Sequence, residues 1–138
     1  MFKKTVTYTD YDGVERTEDV YFNLSKPEII EMQLNTPGGY AELIERIINA
    51  KDTRALVSLY KELLLKSYGI KSDDGKRFIK SEEISTAFSQ TPAYDTIYME
   101  LATDADAASA FVNGLLPTDL MRSVNDSVSK NSALGLVE

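Results

Sequence analysis

Tyr21-Phe22-Asn23-Leu24-Ser25-Lys26-Pro27-Glu28 ends a β-rich run and opens a helix, and that junction decides the fold class. Ser25 can accept from an orphan amide of the first turn while Glu28, three residues on, reaches back to the Ser25 amide. Pro27 falls in the first turn, where its missing donor costs little. Upstream, two β-rich runs flank a turn. Phe2, Val6 and Tyr8 lie on one parity of the first run, and Val14, Val20 and Phe22 lie on one parity of the second. Asp10-Tyr11-Asp12-Gly13 supplies the Asp-Gly pair between them, where glycine tolerates positive φ and aspartate bonds its own backbone. Thr5, Thr7, Glu15, Thr17 and Asp19 fall on the opposite parity and are expected to face solvent. A lone hairpin is marginal in water, so its apolar face must rest on the helices that follow.

Those helices are read from period and punctuation. Ile29, Ile30, Met32 and Leu34 give the first its apolar content, and Asn35-Thr36-Pro37-Gly38-Gly39 ends it. Tyr40, Leu43, Ile44, Ile47 and Ile48 repeat at helical spacing in a second. Asp52 is placed to cap a third, in which Leu56, Leu59, Tyr60, Leu63, Leu64 and Tyr68 keep the same period until Gly69 stops it. Residues 70–79 are read as a turn or small hairpin around Asp74-Gly75, separating two helical groups. Ser81, Thr91 and Asp104 then mark the starts of three brief helices. Tyr94, Ile97, Tyr98 and Leu101 form an i, i+3, i+4, i+7 stripe in the middle one, and the last is alanine-rich and closed by Pro117. The expected fold is α+β and mainly α: an N-terminal β-hairpin packed on a bundle of about six short helices. Residues 1–117 are expected to form a single domain. Residues 118–138 are expected to be a polar tail, flexible or ordered by a partner, with Leu120, Met121, Val124 and Val128 as a weak helical pattern.

Charge is distributed unevenly. The chain has 22 acidic and 15 basic residues, a formal net charge of -7. Ser81 to Met121 holds seven acids (Glu82, Glu83, Asp95, Glu100, Asp104, Asp106 and Asp119) and no Lys or Arg, which leaves 15 acids against 15 bases elsewhere. Clustered Lys and Arg are what phosphate-backbone binding requires, so nucleic acid is not an expected partner. No apolar run approaches a membrane span, no signal peptide is read at Met1-Phe2-Lys3-Lys4, and the absence of cysteine excludes disulfides and suits a reducing cytoplasm.

Catalytic patterns are missing. The chain lacks His and Cys, and with them the common bases, nucleophiles and metal ligands. Asp10, Asp12 and Gly13 resemble part of a calcium loop, but Tyr8 would occupy the first ligand position, so a turn is the better reading. Ser72-Asp73-Asp74-Gly75 fails in the same way, with Ser81 where a closing Glu is needed. Paired carboxylates for hydrolysis need a shared cleft, whereas Glu82, Glu83, Asp104 and Asp106 lie at helix starts, where the helix dipole favours negative charge. Pro37-Gly38-Gly39 lacks the Gly-Lys-Ser/Thr of a phosphate loop. No catalytic residue, cofactor or metal is implied. Glu82, Glu83, Asp95, Glu100, Asp104 and Asp106 remain as a candidate partner-binding surface. Tyr11 joins them as the tyrosine expected to be exposed, whereas Tyr40, Tyr60, Tyr94 and Tyr98 lie on core stripes.

From Phe22 to Pro117 the chain resembles the tail assembly chaperones of long-tailed bacteriophages and prophages. The residues that carry the likeness are Tyr21-Phe22-Asn23-Leu24-Ser25-Lys26, Gly39 to Ile48, and Gly75-Lys76-Arg77-Phe78-Ile79-Lys80-Ser81 running into Ala87-Phe88-Ser89-Gln90-Thr91. Met99-Glu100-Leu101-Ala102-Thr103-Asp104-Ala105-Asp106 and Phe111-Val112-Asn113-Gly114 extend it. The resemblance implies a non-enzymatic protein that binds the tape-measure protein, keeps it soluble, and helps recruit tail-tube subunits in the host cytoplasm before leaving the finished particle. It also implies, in many relatives, a longer frameshifted form. A homo-oligomer, as a ring or dimer, would suit a chaperone coating a long partner. Three other readings compete: an acidic decoy that binds a basic host or phage protein, an unrecognised enzyme, and, nearer, a structural tail component.

Overall fold

A computed structural model of the chain describes residues 1–116. The boundary expected at Pro117, the tail pattern Leu120, Met121, Val124 and Val128, and Asp119 all lie outside the described residues. Strands β1 (Phe2–Thr9) and β2 (Glu15–Phe22) form the expected hairpin in register Phe2↔Phe22 through Thr9↔Glu15. Residues opposite one another in an antiparallel pair share a face. Phe2, Lys4, Val6 and Tyr8 therefore lie with Arg16, Glu18, Val20 and Phe22 on the side where Val6, Val20 and Phe22 are buried. On the other side the Thr5 hydroxyl donates to Asp19 at 2.7 Å and the Thr7 and Thr17 hydroxyls meet at 3.0 Å, all four residues exposed. Asp10 organises the turn: its carboxylate accepts from the Asp12 and Val14 amides at 2.9 Å each and from Arg16 Nε at 2.6 Å. It acts as a turn residue. Val14, expected on the apolar parity, sits in this turn beyond the last strand pair and is exposed.

Helices α1 (Lys26–Asn35), α2 (Tyr40–Asn49) and α3 (Thr53–Ser67) follow. The capping box forms as read: Ser25 Oγ accepts from the Glu28 amide at 3.3 Å, and Glu28 Oε1 accepts from the Ser25 amide at 3.0 Å. Asp52 caps α3 by accepting from the Ala55 amide at 3.0 Å. The third helix stops one residue earlier than its period predicts. Tyr68 keeps the i+4 spacing from Leu64, yet its backbone is extended (φ -65°, ψ 138°) and it begins β3 (Tyr68–Lys71). The reason is tertiary, since β3 pairs with β2 through Tyr21↔Gly69 and Phe22↔Tyr68, and the Asn23 amide donates to the Ser67 carbonyl at 2.8 Å. β4 (Phe78–Ile79) pairs with β3 across the Asp74-Gly75 turn. Residues 70–79 thus do form a small hairpin, but it extends the N-terminal one into a four-stranded antiparallel sheet, β1-β2-β3-β4.

Helices α4 (Glu82–Ser89), α5 (Pro92–Thr103) and α6 (Ala105–Leu115) start where Ser81, Thr91 and Asp104 mark them. α5 and α6 lie on β1, α5 also on α3, and α4 on α3, α5 and β3, giving a layer of helices over one face of the sheet. At its centre Phe22 is fully buried among the rings of Phe2, Tyr68, Phe88 and Phe111, with Tyr68 and Phe88 stacked at 3.8 Å. Tyr40, Tyr60 and Tyr94 are buried and Tyr98 packs against the core, as their stripes predict. The first helix departs from its sequence pattern: Met32 is buried and Ile29 half-buried, while Ile30 and Leu34 face solvent. None of the described helices is long and apolar enough to cross a membrane.

Lys80 ties the end of β4 to the start of α1. Its ammonium donates to the Asn23 carbonyl at 2.9 Å and to both Glu28 carboxylate oxygens at 2.6 and 2.5 Å. Burial acts to raise the Glu28 carboxyl, but hydrogen bonds from Lys80 and Ser25 and the lysine's charge outweigh it and hold the group below its ordinary 4.5. A carboxyl depressed by folding contributes stability above its unfolded pKa and loses it as pH falls through the folded value. Glu28→Gln is expected to lower stability by about 1 kcal/mol near pH 7. Urea midpoints should show that gap closing as pH drops below about 4.5; a gap that stays constant down to the acid limit would show that Glu28 acts through packing.

Candidate partner-binding surface

The acids that are continuous in sequence are separated in space. Glu82 and Glu83 stand exposed in the first turn of α4, capped by Ser81, whose hydroxyl accepts from the Ile84 amide at 3.1 Å. Glu82 lines a cleft with Glu28, Glu62, Lys66 and Lys80, three carboxylates against two ammonium groups, of which Lys80 is held by Glu28. Glu100 is half-buried and pairs with Lys4 of β1. The cation-free stretch is therefore not cation-free on the surface around α4, or along the flank of α5 that faces the sheet.

Asp95, Asp104 and Asp106 are exposed, and among the described residues no Lys or Arg lies within salt-bridge distance of them or of Glu82 and Glu83. Asp104 serves two helices. Its amide donates to the Glu100 carbonyl at 2.8 Å to end α5, and its Oδ1 accepts from the Asp106 and Ala107 amides at 3.0 and 3.2 Å to begin α6. The structure thus brings Asp104 and Asp106 together at the α5–α6 junction. Asp95 lies in the first turn of α5, after the cap made by the Thr91 hydroxyl on the Tyr94 amide at 3.1 Å. Burial pushes the neighbouring Tyr94 hydroxyl up, and the charges of Tyr98 and Asp95 add to that. Tyr11 is 80% exposed at the tip of the hairpin, an element apart from these acids.

The side chain that sequence reasoning passed over is Met99, 56% exposed. It falls off the Tyr94, Ile97, Tyr98, Leu101 stripe and lies four residues after Asp95 and three before Ala102, on one helical face. Asp95, Met99, Ala102 and Thr103 are all exposed, so the outward face of α5 presents an apolar thioether between unpaired carboxylates. The signal was available as the complement of the core stripe. A long, adaptable methionine flanked by charge is suited to covering an apolar stripe on another chain.

This arrangement offers contact and charge. A protein-family profile described as phage tail assembly chaperone matches residues 1–134. No curated protein and no solved structure shows significant similarity to the chain. The match spans the hairpin, the sheet and all six described helices, so the chain belongs to the phage tail assembly chaperone family.

Proposed function

We propose that the protein is a non-enzymatic assembly chaperone that binds the tape-measure protein of its phage, keeps it dispersed in the host cytoplasm, and helps bring tail-tube subunits to it. The family match over residues 1–134 carries this reading. The outward face of α5 supports it physically. A long helical client exposes apolar stripes that aggregate unless covered, and Met99 between Asp95 and the Asp104–Asp106 pair supplies cover together with charge that keeps the complex in solution. Glu100 contributes less in this reading, because Lys4 of the same chain already pairs with it, while Glu82 and Glu83 add exposed charge.

Co-expression with the tape-measure protein tests it. The client is expected in the soluble fraction with the chaperone and in inclusion bodies without it. Purified particles are expected to lack the chaperone, whereas a structural tail component would persist in them. Replacing Met99 by Asp is expected to weaken binding about tenfold, the loss of one well-placed anchor at a contact centre. A client that stays insoluble with wild-type protein, or binding that ignores Met99→Asp, would count against the assignment and the surface respectively.

A further inference from the structure

We propose that the free edge of β1 pairs antiparallel with the β1 edge of a second copy of the chain, joining the two sheets across a twofold axis at Val6. The two edges of the sheet differ. β4 is two residues long, and so short an edge offers little to pair with. β1 is eight residues long, contains neither proline nor glycine, pairs with β2 without a bulge, and has no strand beyond it among the described residues. A long unpaired edge of this kind is a template for another chain.

The register shows which groups are open. The Asp10 amide donates to the Val14 carbonyl at 2.9 Å, so the hydrogen-bonded pairs of the hairpin fall on the even residues of β1. The Asn23 amide, donating to the Ser67 carbonyl at 2.8 Å, gives the same phase from the other side of β2. Lys3, Thr5, Thr7 and Thr9 therefore aim their backbone N–H and C=O groups away from β2, and no backbone partner for them is present among the described residues. Their side chains are exposed on the outer face, opposite the helices. β2 also has a free flank, because β3 pairs only with Tyr21 and Phe22, but Glu15, Arg16, Glu18 and Asp19 guard it with charge.

Backbone groups alone would accept any extended chain, and the side chains select a second copy. Centring the pair on Val6 sets Lys3 opposite Thr9 of the other copy, Thr5 opposite Thr7, Lys4 opposite Tyr8 and Val6 opposite itself. This register pairs every open group on both strands, whereas sliding it by one pair leaves a residue of each strand unpaired. No like charges face one another, and threonine pairs across strands are stabilising. Each Thr5–Thr7 pair continues a row already formed within the hairpin, where the Thr7 and Thr17 hydroxyls meet at 3.0 Å and Thr5 donates to Asp19 at 2.7 Å. Lys4 is held by Glu100, so Lys3 is the cation left at the edge, and its row runs through Thr9 to Glu15 of the other copy.

Analytical ultracentrifugation of the full chain tests the proposal with two matched proline variants. Thr7 and Thr17 face each other in the hairpin, with the Thr7 amide toward the open edge and the Thr17 amide toward the opposite flank. Neither substitution removes a backbone bond between β1 and β2, and both lose the same hydroxyl contact. Wild type is expected to be a dimer. Thr7→Pro should weaken dimerisation about tenfold or more, because the loss falls on both strands, while Thr17→Pro leaves it unchanged. The amides of Lys3, Thr5, Thr7 and Thr9 should exchange slowly in concentrated wild-type protein and faster on dilution. A wild type that stays monomeric, a dimer that Thr7→Pro leaves intact, or assembly that grows past the dimer would overturn the proposal. Slow exchange at these amides in a monomer would mean that the chain covers its own edge, which overturns it too. If both variants dissociate the dimer, the wild-type exchange decides: slowing with concentration at these amides upholds the pairing, and exchange independent of concentration overturns it.

Discussion

Phe22→Ala is expected to lower the free energy of unfolding by about 3–5 kcal/mol, a large share of the roughly 5–15 kcal/mol that holds a domain of this size together. Phe22 has no exposed surface and touches rings from four elements: Phe2 of β1, Tyr68 of β3, Phe88 of α4 and Phe111 of α6. Truncation removes the transfer energy of the ring and leaves a cavity that neighbours on four elements cannot close without moving the sheet against the helices. It also removes edge-to-face contacts worth about 0.5–1.5 kcal/mol each beyond area. Phe2→Ala is the informative comparison, because Phe2 is only half-buried at the start of the edge strand and should cost less. Urea titration of both variants checks the order. A Phe22→Ala loss under about 1 kcal/mol would mean that the aromatic cluster is not the centre of the core.

Gly69→Val is expected to cost about 1–3 kcal/mol or more, by overpacking and not by loss of contact. Any Cβ at Gly69 would lie 2.5 Å from Phe78 Cε2, 2.8 Å from the Ile79 carbonyl oxygen and 2.8 Å from Lys80 Cγ. A flexible side chain could yield, but the Ile79 oxygen is backbone, so relief requires β4 to leave β3. Lys80 follows Ile79 directly, and its bonds to Asn23 and Glu28 would be strained by the same movement. The expected signature is a lower urea midpoint together with lost amide protection at residues 70–79, while the β1–β2 ladder stays protected. Uniform loss of protection would show that β3 and β4 unfold only with the whole structure.

The sequence was most legible where structure is decided locally. Ser25 with Glu28, Asp52, Ser81, Thr91 and Asp104 each cap the helix they were read to start, because a cap involves residues two or three apart. The four-stranded sheet was not legible. β3 and β4 are four and two residues long, too short to show a period, and the pairing Tyr21↔Gly69 joins residues 48 apart. Tyr68 illustrates the conflict, fitting the helical stripe of α3 in spacing while sheet pairing claims its backbone. The surroundings of the acidic block were not legible for a related reason. A cation-free run of sequence says nothing about what folds against it, and Lys4 arrives beside Glu100 from elsewhere in the chain. The proposed contact surface draws on that block through Asp95, Asp104 and Asp106 around Met99.

Hydrogen exchange with and without the tape-measure protein shows whether this chaperone meets its client along the outward face of α5. Slowed exchange is expected at residues 95–106 in the complex, with the exposed outer face of the β1–β2 hairpin unchanged. Protection confined to the hairpin or to α1, with 95–106 exchanging as in the free protein, would contradict it.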